Sequence, residues 1–83
     1  MSRVRIPPTL RPATGGEREV DAEGQNVGEL LDDLSSRFPA LRDQLHYANV
    51  YVDGEDVRTL DGEDTPVGAN STVILLPAMA GGQ

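Results

Sequence analysis

The residues with the clearest chemical potential lie at the end of the chain, in the sequence Gly81-Gly82-Gln83. A glycine carboxylate is an acyl donor once it is activated, and two glycines form a segment without side chains that a narrow channel can admit. The chain contains no lysine, so an activated carboxylate would meet no lysine amine on its own chain. A Gly-Gly pair is also typical of a frayed chain end. The elements that precede it must therefore show whether the pair is functional.

Other candidate groups fit structural interpretations better than functional ones. His46 is the only histidine, and a lone histidine in a chain without cysteine is more often a surface or packed residue than a metal ligand. Ser35 and Ser36 have no neighbouring base motif, which argues against nucleophilic catalysis. Two acidic sets lack the spacing of a calcium-binding loop. These sets are Glu17, Glu19 and Asp21, and Asp61, Glu63 and Asp64. We therefore predict no catalytic residue, no metal site and no bound cofactor.

Length and charge restrict the class of protein. A chain of 83 residues supports one domain with a modest core. The net charge of −7 disfavours nucleic acid and anionic membranes as partners, because both would repel an acidic chain. The absence of cysteine and of any apolar run near 20 residues leads us to expect a cytoplasmic protein.

The first third of the sequence predicts a β-hairpin. Residues 3–6 alternate polar and apolar as a half-buried strand does, and Pro7 and Pro8 then require that strand to end or to lie at a sheet edge. Alternation resumes at residues 17–20, after a turn in which Gly15 and Gly16 are expected to take positive backbone angles.

The middle third predicts an amphipathic helix. Its apolar stripe is Val27, Leu30, Leu31, Leu34 and Phe38. Asn26 is placed to cap the start, with Glu29 reaching back in a capping-box arrangement, and Pro39 is expected to stop the helix. Leu41 and Leu45 predict a short further turn.

The last third predicts a second hairpin, a long connection and a final strand. Residues 48–52 alternate and run into Asp53-Gly54, a strong hairpin signal. A polar loop over residues 59–70 leads to the apolar strand 72–76, which suits a central position, buried on both faces or on one face plus a partner. Two hairpins joined by a helix give an α+β, ubiquitin-like β-grasp fold with a mixed sheet of four to five strands. We expect residues 1–77 to form this domain and residues 78–83 to form a tail.

Two stretches of the sequence resemble one family. They are Val4-Arg5-Ile6-Pro7-Pro8-Thr9-Leu10-Arg11-Pro12-Ala13-Thr14-Gly15-Gly16 and Val73-Ile74-Leu75-Leu76-Pro77-Ala78-Met79-Ala80-Gly81-Gly82. On this element order, the chain resembles the β-grasp sulfur carriers of the ThiS/MoaD superfamily, in particular their cysteine-biosynthetic branch. It departs from the family at Asn70-Ser71, where a Gly-Asp pair is common, and at Gln83, since many members end at the second glycine.

The resemblance implies a sulfur carrier that is a substrate for other enzymes. An E1-like adenylating enzyme would use ATP to activate Gly82, and a persulfide or sulfide would then convert it to a thiocarboxylate. Met79, Ala80 and Gly81 would be recognised within the tail. Gln83 would first be removed at the Gly82–Gln83 bond by a JAMM-type metallopeptidase, and a cysteine-synthase-like enzyme would accept the sulfur.

The sequence leaves the docking surface and the final pathway open. Val73 and Leu75 are predicted to form an apolar docking patch for the activating enzyme, or else to be core residues. A small subunit of molybdopterin synthase and a protein modifier that attaches to lysines are alternative functions that the same tail would serve.

Overall fold

The computed structural model describes residues 1–45 and 47–77, the last by its backbone only. Five strands form one mixed sheet in the order β2-β1-β5-β3-β4. The strands are β1 (Ser2–Arg5), β2 (Glu19–Ala22), β3 (Ala48–Val52), β4 (Glu55–Asp56) and β5 (Thr72–Pro77). Strand β5 is central as predicted, parallel to β1 and antiparallel to β3. The β-grasp prediction is therefore confirmed.

The connection between β1 and β2 is a compact element rather than a plain turn. The predicted hairpin forms, with Val4 opposite Val20, and β1 ends at Arg5 just before the two prolines. A 3₁₀ helix then covers Pro8–Thr14, where the sequence predicted only turn residues. Proline fits the start of such a helix because its backbone has no N–H to leave unpaired. Gly15 and Gly16 end the element at φ of 69° and 89°, as predicted.

Helix α1 covers Val27–Arg37 and packs its apolar stripe on one face of the sheet. Asn26 Oδ1 accepts a hydrogen bond from the Glu29 N–H at 2.8 Å, which confirms the predicted cap. Glu29 reaches back as expected, but its Oε1 accepts from the Gln25 N–H at 2.9 Å. Pro39 ends α1 and opens helix α2 (Pro39–Leu45), which buries Leu41 beneath the domain.

The second hairpin forms at the predicted turn. Asp53 has a φ of 51° and Gly54 a φ of 89°, the left-handed pair that a tight hairpin requires. Asp53 also joins this turn to the start of β5, since its Oδ1 accepts from the Thr72 N–H at 2.9 Å. Strand β4 is short, because Val57 turns into the core and begins a 3₁₀ turn.

The connection from β4 to β5 is tied to the helix and to β1. The Val27 N–H donates to the Thr65 carbonyl at 2.9 Å, and Ser2 Oγ donates to the Gly68 carbonyl at 2.8 Å. At Asn70-Ser71, where the family commonly has a Gly-Asp pair, the turn forms without a left-handed residue, and Ser71 Oγ accepts a hydrogen bond from the Gly68 N–H at 2.9 Å.

The apolar core lies between the sheet on one side and the helices and the β4–β5 connection on the other. It comprises Val4, Ile6, Leu10, Ala22, Val27, Leu30, Leu34, Leu41, Val50, Val52, Val57, Val67, Val73 and Leu75.

Candidate functional site

Strand β5 presents alternate residues to opposite faces of the sheet. Val73 and Leu75 are both 0% exposed and belong to the core, so the prediction that they form a docking patch is wrong. The physical reason is the period of two in a strand, which sends the other set outward. Ile74 is half-buried on the outer face, and Leu76 is 42% exposed. When every residue of a strand is apolar, the sequence does not show which alternate residues face the core. For this reason the sequence did not separate the buried set from the outward-facing set.

The outer face of the sheet is left uncovered by the helices, and we call it the open face. A row of directly opposed residues crosses it in the order Glu19, Arg5, Ile74, Tyr51 and Asp56. Leu76 lies opposite Asn49, two residues beyond Ile74 toward the end of β5. The open face therefore has a narrow apolar strip along β5 with charged residues on both sides.

Ion pairs order both flanks of the open face. Glu19 lies 3.6 Å from Arg3 and 3.5 Å from Arg5. On the other flank, Arg58 Nη2 contacts Asp56 Oδ2 at 2.7 Å. The side-chain hydrogen bond from Arg58, followed by that from its backbone N–H, holds the pKa of Asp56 below its ordinary value. These exposed pairs orient side chains and contribute little stability.

The predicted tail follows the end of β5. Pro77 is the last residue that the structure describes, and it pairs with Ala48. The predicted tail residues Met79, Ala80, Gly81, Gly82 and Gln83 lie outside the described residues. Measured along a fully extended chain, Pro77 to Gly82 can span roughly 20 Å. A partner that holds Gly82 in a buried site would thus lie close to this end of the sheet.

The serine candidates lie on the helix-covered side of the sheet. His46 lies outside the described residues. Ser35 and Ser36 line a groove between α1 and β3, on the side of the sheet away from the open face. Among the described residues, no group of three or more acidic or histidine side chains is arranged to hold a metal ion. In the same part of the chain, no helix is long and apolar enough to cross a membrane.

The fold and the central last strand define a ubiquitin-like β-grasp protein. The model of the ThiS family matches residues 4–82, so the chain belongs to the ThiS family. It is a homologue of sulfur carrier proteins, which are small carriers rather than catalysts.

Individual relatives agree with this assignment. The chain is 36% identical to the sulfur carrier protein CysO of Mycobacterium tuberculosis, over 95% of this chain and 96% of that protein. CysO of Amycolatopsis orientalis, solved in a complex with BexX, is 40% identical with a TM-score of 0.88, over 98% of this chain and 99% of that one. Small archaeal modifier protein 1 of Methanosarcina acetivorans has a TM-score of 0.87 at 23% identity, over 96% of this chain and 94% of that one, and shares the fold.

Proposed function

We propose that this protein carries sulfur as a thiocarboxylate on Gly82 and donates it in the biosynthesis of cysteine or a related sulfur metabolite. The observation that supports this most directly is the central placement of β5, which ends at Pro77, shortly before Gly81-Gly82 in the sequence. The similarity to CysO proteins over nearly the whole chain supports the cysteine branch.

The chemistry requires two steps on one carboxylate. The Gly82 carboxylate attacks the α-phosphorus of ATP on an E1-like adenylating enzyme, which forms an acyl adenylate and releases pyrophosphate. Sulfide then attacks the acyl carbon and AMP leaves, so that one carboxylate oxygen has been replaced by sulfur. The chain itself supplies no catalytic residue; it supplies the acyl group and a surface on which the enzyme docks.

Gln83 must be absent for this chemistry, because the Gly82 carbonyl is otherwise held in a peptide bond. We propose that a JAMM-type metallopeptidase hydrolyses the Gly82–Gln83 bond before activation. A cysteine-synthase-like enzyme then accepts the sulfur from Gly82.

Intact mass spectrometry tests the proposal with a matched pair of chains. One chain ends at Gly82 and the other retains Gln83, and each is incubated with the organism's own adenylating enzyme, ATP and sulfide. The chain ending at Gly82 is expected to gain about 16 Da, the difference between sulfur and oxygen, and the other chain to remain unchanged. An unchanged mass in both chains, or an equal gain in both, would contradict the proposal.

Two further measurements separate the alternative functions. Stable co-purification with a large catalytic subunit would instead indicate a small subunit of molybdopterin synthase. Conjugates of higher mass linked to lysines on other proteins would indicate a protein modifier.

A further inference from the structure

A concave surface at the tail end of the sheet contains a concentration of positive charge. This hollow of about 840 Å³ lies between the Pro8–Thr14 helix and the end of β5. Three of the chain's seven basic residues, Arg5, Arg11 and Arg18, line it. We call it the arginine hollow. Glu17 and Glu19 also line it, so its charged side chains sum to +1 on a chain whose net charge is −7.

The hollow is a built feature, because Ile6 joins the Arg11 side chain to the backbone at Arg18. Arg11 Nε donates to the Ile6 carbonyl at 3.2 Å, and the Ile6 N–H donates to the Arg18 carbonyl at 2.8 Å. Ile6 itself is only 2% exposed. The Arg11 carbonyl in turn accepts hydrogen bonds from the Gly16 N–H at 2.7 Å and from Thr14 Oγ1 at 3.1 Å. Arg11 is thereby held in place before any partner arrives, which lowers the cost of ordering it on binding.

Two of the three guanidinium groups retain their binding capacity. Among the described residues, Arg11 and Arg18 form no salt bridge, whereas Arg5 lies 3.5 Å from a Glu19 that it shares with Arg3. An arginine guanidinium presents several N–H donors in a planar fork that matches a carboxylate. The charges therefore favour an acidic occupant.

The walls of the hollow indicate a protein segment rather than a small anion. Ile74 and Leu76 form one wall, and Leu76 is 42% exposed. A segment that combines carboxylates with an apolar side chain would satisfy both the walls and the arginines. Leu76 immediately precedes Pro77, so this occupant would belong to whichever protein holds the tail.

We infer that the arginine hollow receives an acidic segment of the enzyme that activates Gly82. The inference deepens the proposed function and rests on it for the identity of the partner. Charge pairing between the arginines of the hollow and the acidic segment would orient the start of the tail on the enzyme. The apolar strip of the open face would supply the remaining contact. Such charge pairs mainly raise the association rate and the specificity, and added salt weakens them.

Charge reversal at two exposed arginines provides the test. Arg18→Glu reverses a charge in the hollow, and Arg42→Glu makes the same change on α2, on the far side of the sheet. Both side chains are exposed and form no salt bridge among the described residues, so both variants are expected to fold. Arg11→Gln is a third variant that removes charge without reversing it.

Isothermal titration calorimetry of each chain, ending at Gly82, into the organism's adenylating enzyme measures the effect. Arg18→Glu is expected to raise the Kd about tenfold, and Arg42→Glu less than about twofold. Arg11→Gln is expected to raise the Kd about threefold. A rise in NaCl concentration is expected to narrow the difference in Kd between the wild type and Arg18→Glu. Equal weakening by both reversals, or an unchanged Kd for Arg18→Glu, would overturn the inference.

Parallel measurements distinguish this inference from the proposed function. If the wild-type chain binds the enzyme but supports no ATP–pyrophosphate exchange, the proposed function fails, and the Kd values still decide the role of the hollow. If the wild-type chain does not bind, both fail. A concentration-dependent dimer in light scattering that Arg18→Glu abolishes would assign the hollow to a second copy of the chain and overturn the inference.

Discussion

Neighbouring residues of β5 have opposite roles because they occupy opposite faces of the sheet. Leu75→Ala removes a side chain that is 0% exposed, and it should lower the free energy of unfolding by about 2 to 5 kcal/mol. Leu76→Ala removes one that is 42% exposed and should change stability by less than about 1 kcal/mol. Urea unfolding followed by circular dichroism measures both values. Similar losses in the two variants would show that the faces are not distinct.

The Asp56–Arg58 pair predicts a pH dependence of defined sign. The pKa of Asp56 is lowered, chiefly by the Arg58 side chain, so the pair stabilises the fold above the carboxyl's ordinary value of 3.8. This contribution is lost as the pH falls through the lowered pKa. Arg58→Gln should raise the pKa of Asp56 but leave it below 3.8, because the backbone N–H of residue 58 still donates to the carboxylate. NMR titration of the carboxyl carbon measures the shift, with Arg42→Gln as the control. An unchanged pKa would contradict the assigned cause.

At the level of elements, the start of α1 depends on one side-chain cap. Asn26→Ala removes the acceptor for the Glu29 N–H and should cost about 1 kcal/mol of unfolding free energy. Asp32→Ala is the matched control, since Asp32 is exposed on the same helix away from its start. Thermal and urea unfolding of both variants measure the difference. The cap would be unimportant if the two variants were equally stable.

Elements with a strong local signal could be predicted from the sequence, and elements shaped by their surroundings could not. Strand β3 and the Asp53-Gly54 turn were predicted at the observed positions, because alternation and turn chemistry act over a few residues. The Pro8–Thr14 helix was missed, since prolines followed by Gly15-Gly16 equally indicate an open turn. Its form depends on Leu10 and Thr14, which are buried against the rest of the domain.

The same contrast applies to the candidate site. From Gly81-Gly82 after a strand and a proline, the sequence predicts a tail, and this prediction falls on residues outside the described ones. The sequence did not decide whether Val73 and Leu75 dock a partner or form core, because the phase of β5 is set by its long-range pairing with β1 and β3. The arginine hollow could not be predicted either. Arg5, Arg11 and Arg18 are separated in sequence and meet only when the Pro8–Thr14 helix folds against the end of β5.

At the scale of the whole molecule, the topology makes the last strand essential to the fold. β5 pairs with β1 near the start of the chain and with β3 in the second half, so the sheet is not complete until the final described residues are in place. It also supplies Val73 and Leu75, which are both fully buried. A chain ending at Ser71 would lose both ladders and these two core residues, and we expect it to be unfolded by circular dichroism.

A chain ending at Pro77 should separate the fold from the function. It retains every described paired residue of β5 and every buried apolar residue that the structure describes, so its unfolding free energy should lie within about 0.5 kcal/mol of that of the chain ending at Gly82. It should nevertheless support no ATP–pyrophosphate exchange, because it lacks the Gly82 carboxylate. Urea unfolding and the exchange assay, run on both chains, measure the two properties independently. A loss of more than about 1 kcal/mol on removal of residues 78–82 would show that the tail contributes to the folded domain and would contradict a domain boundary at residue 77.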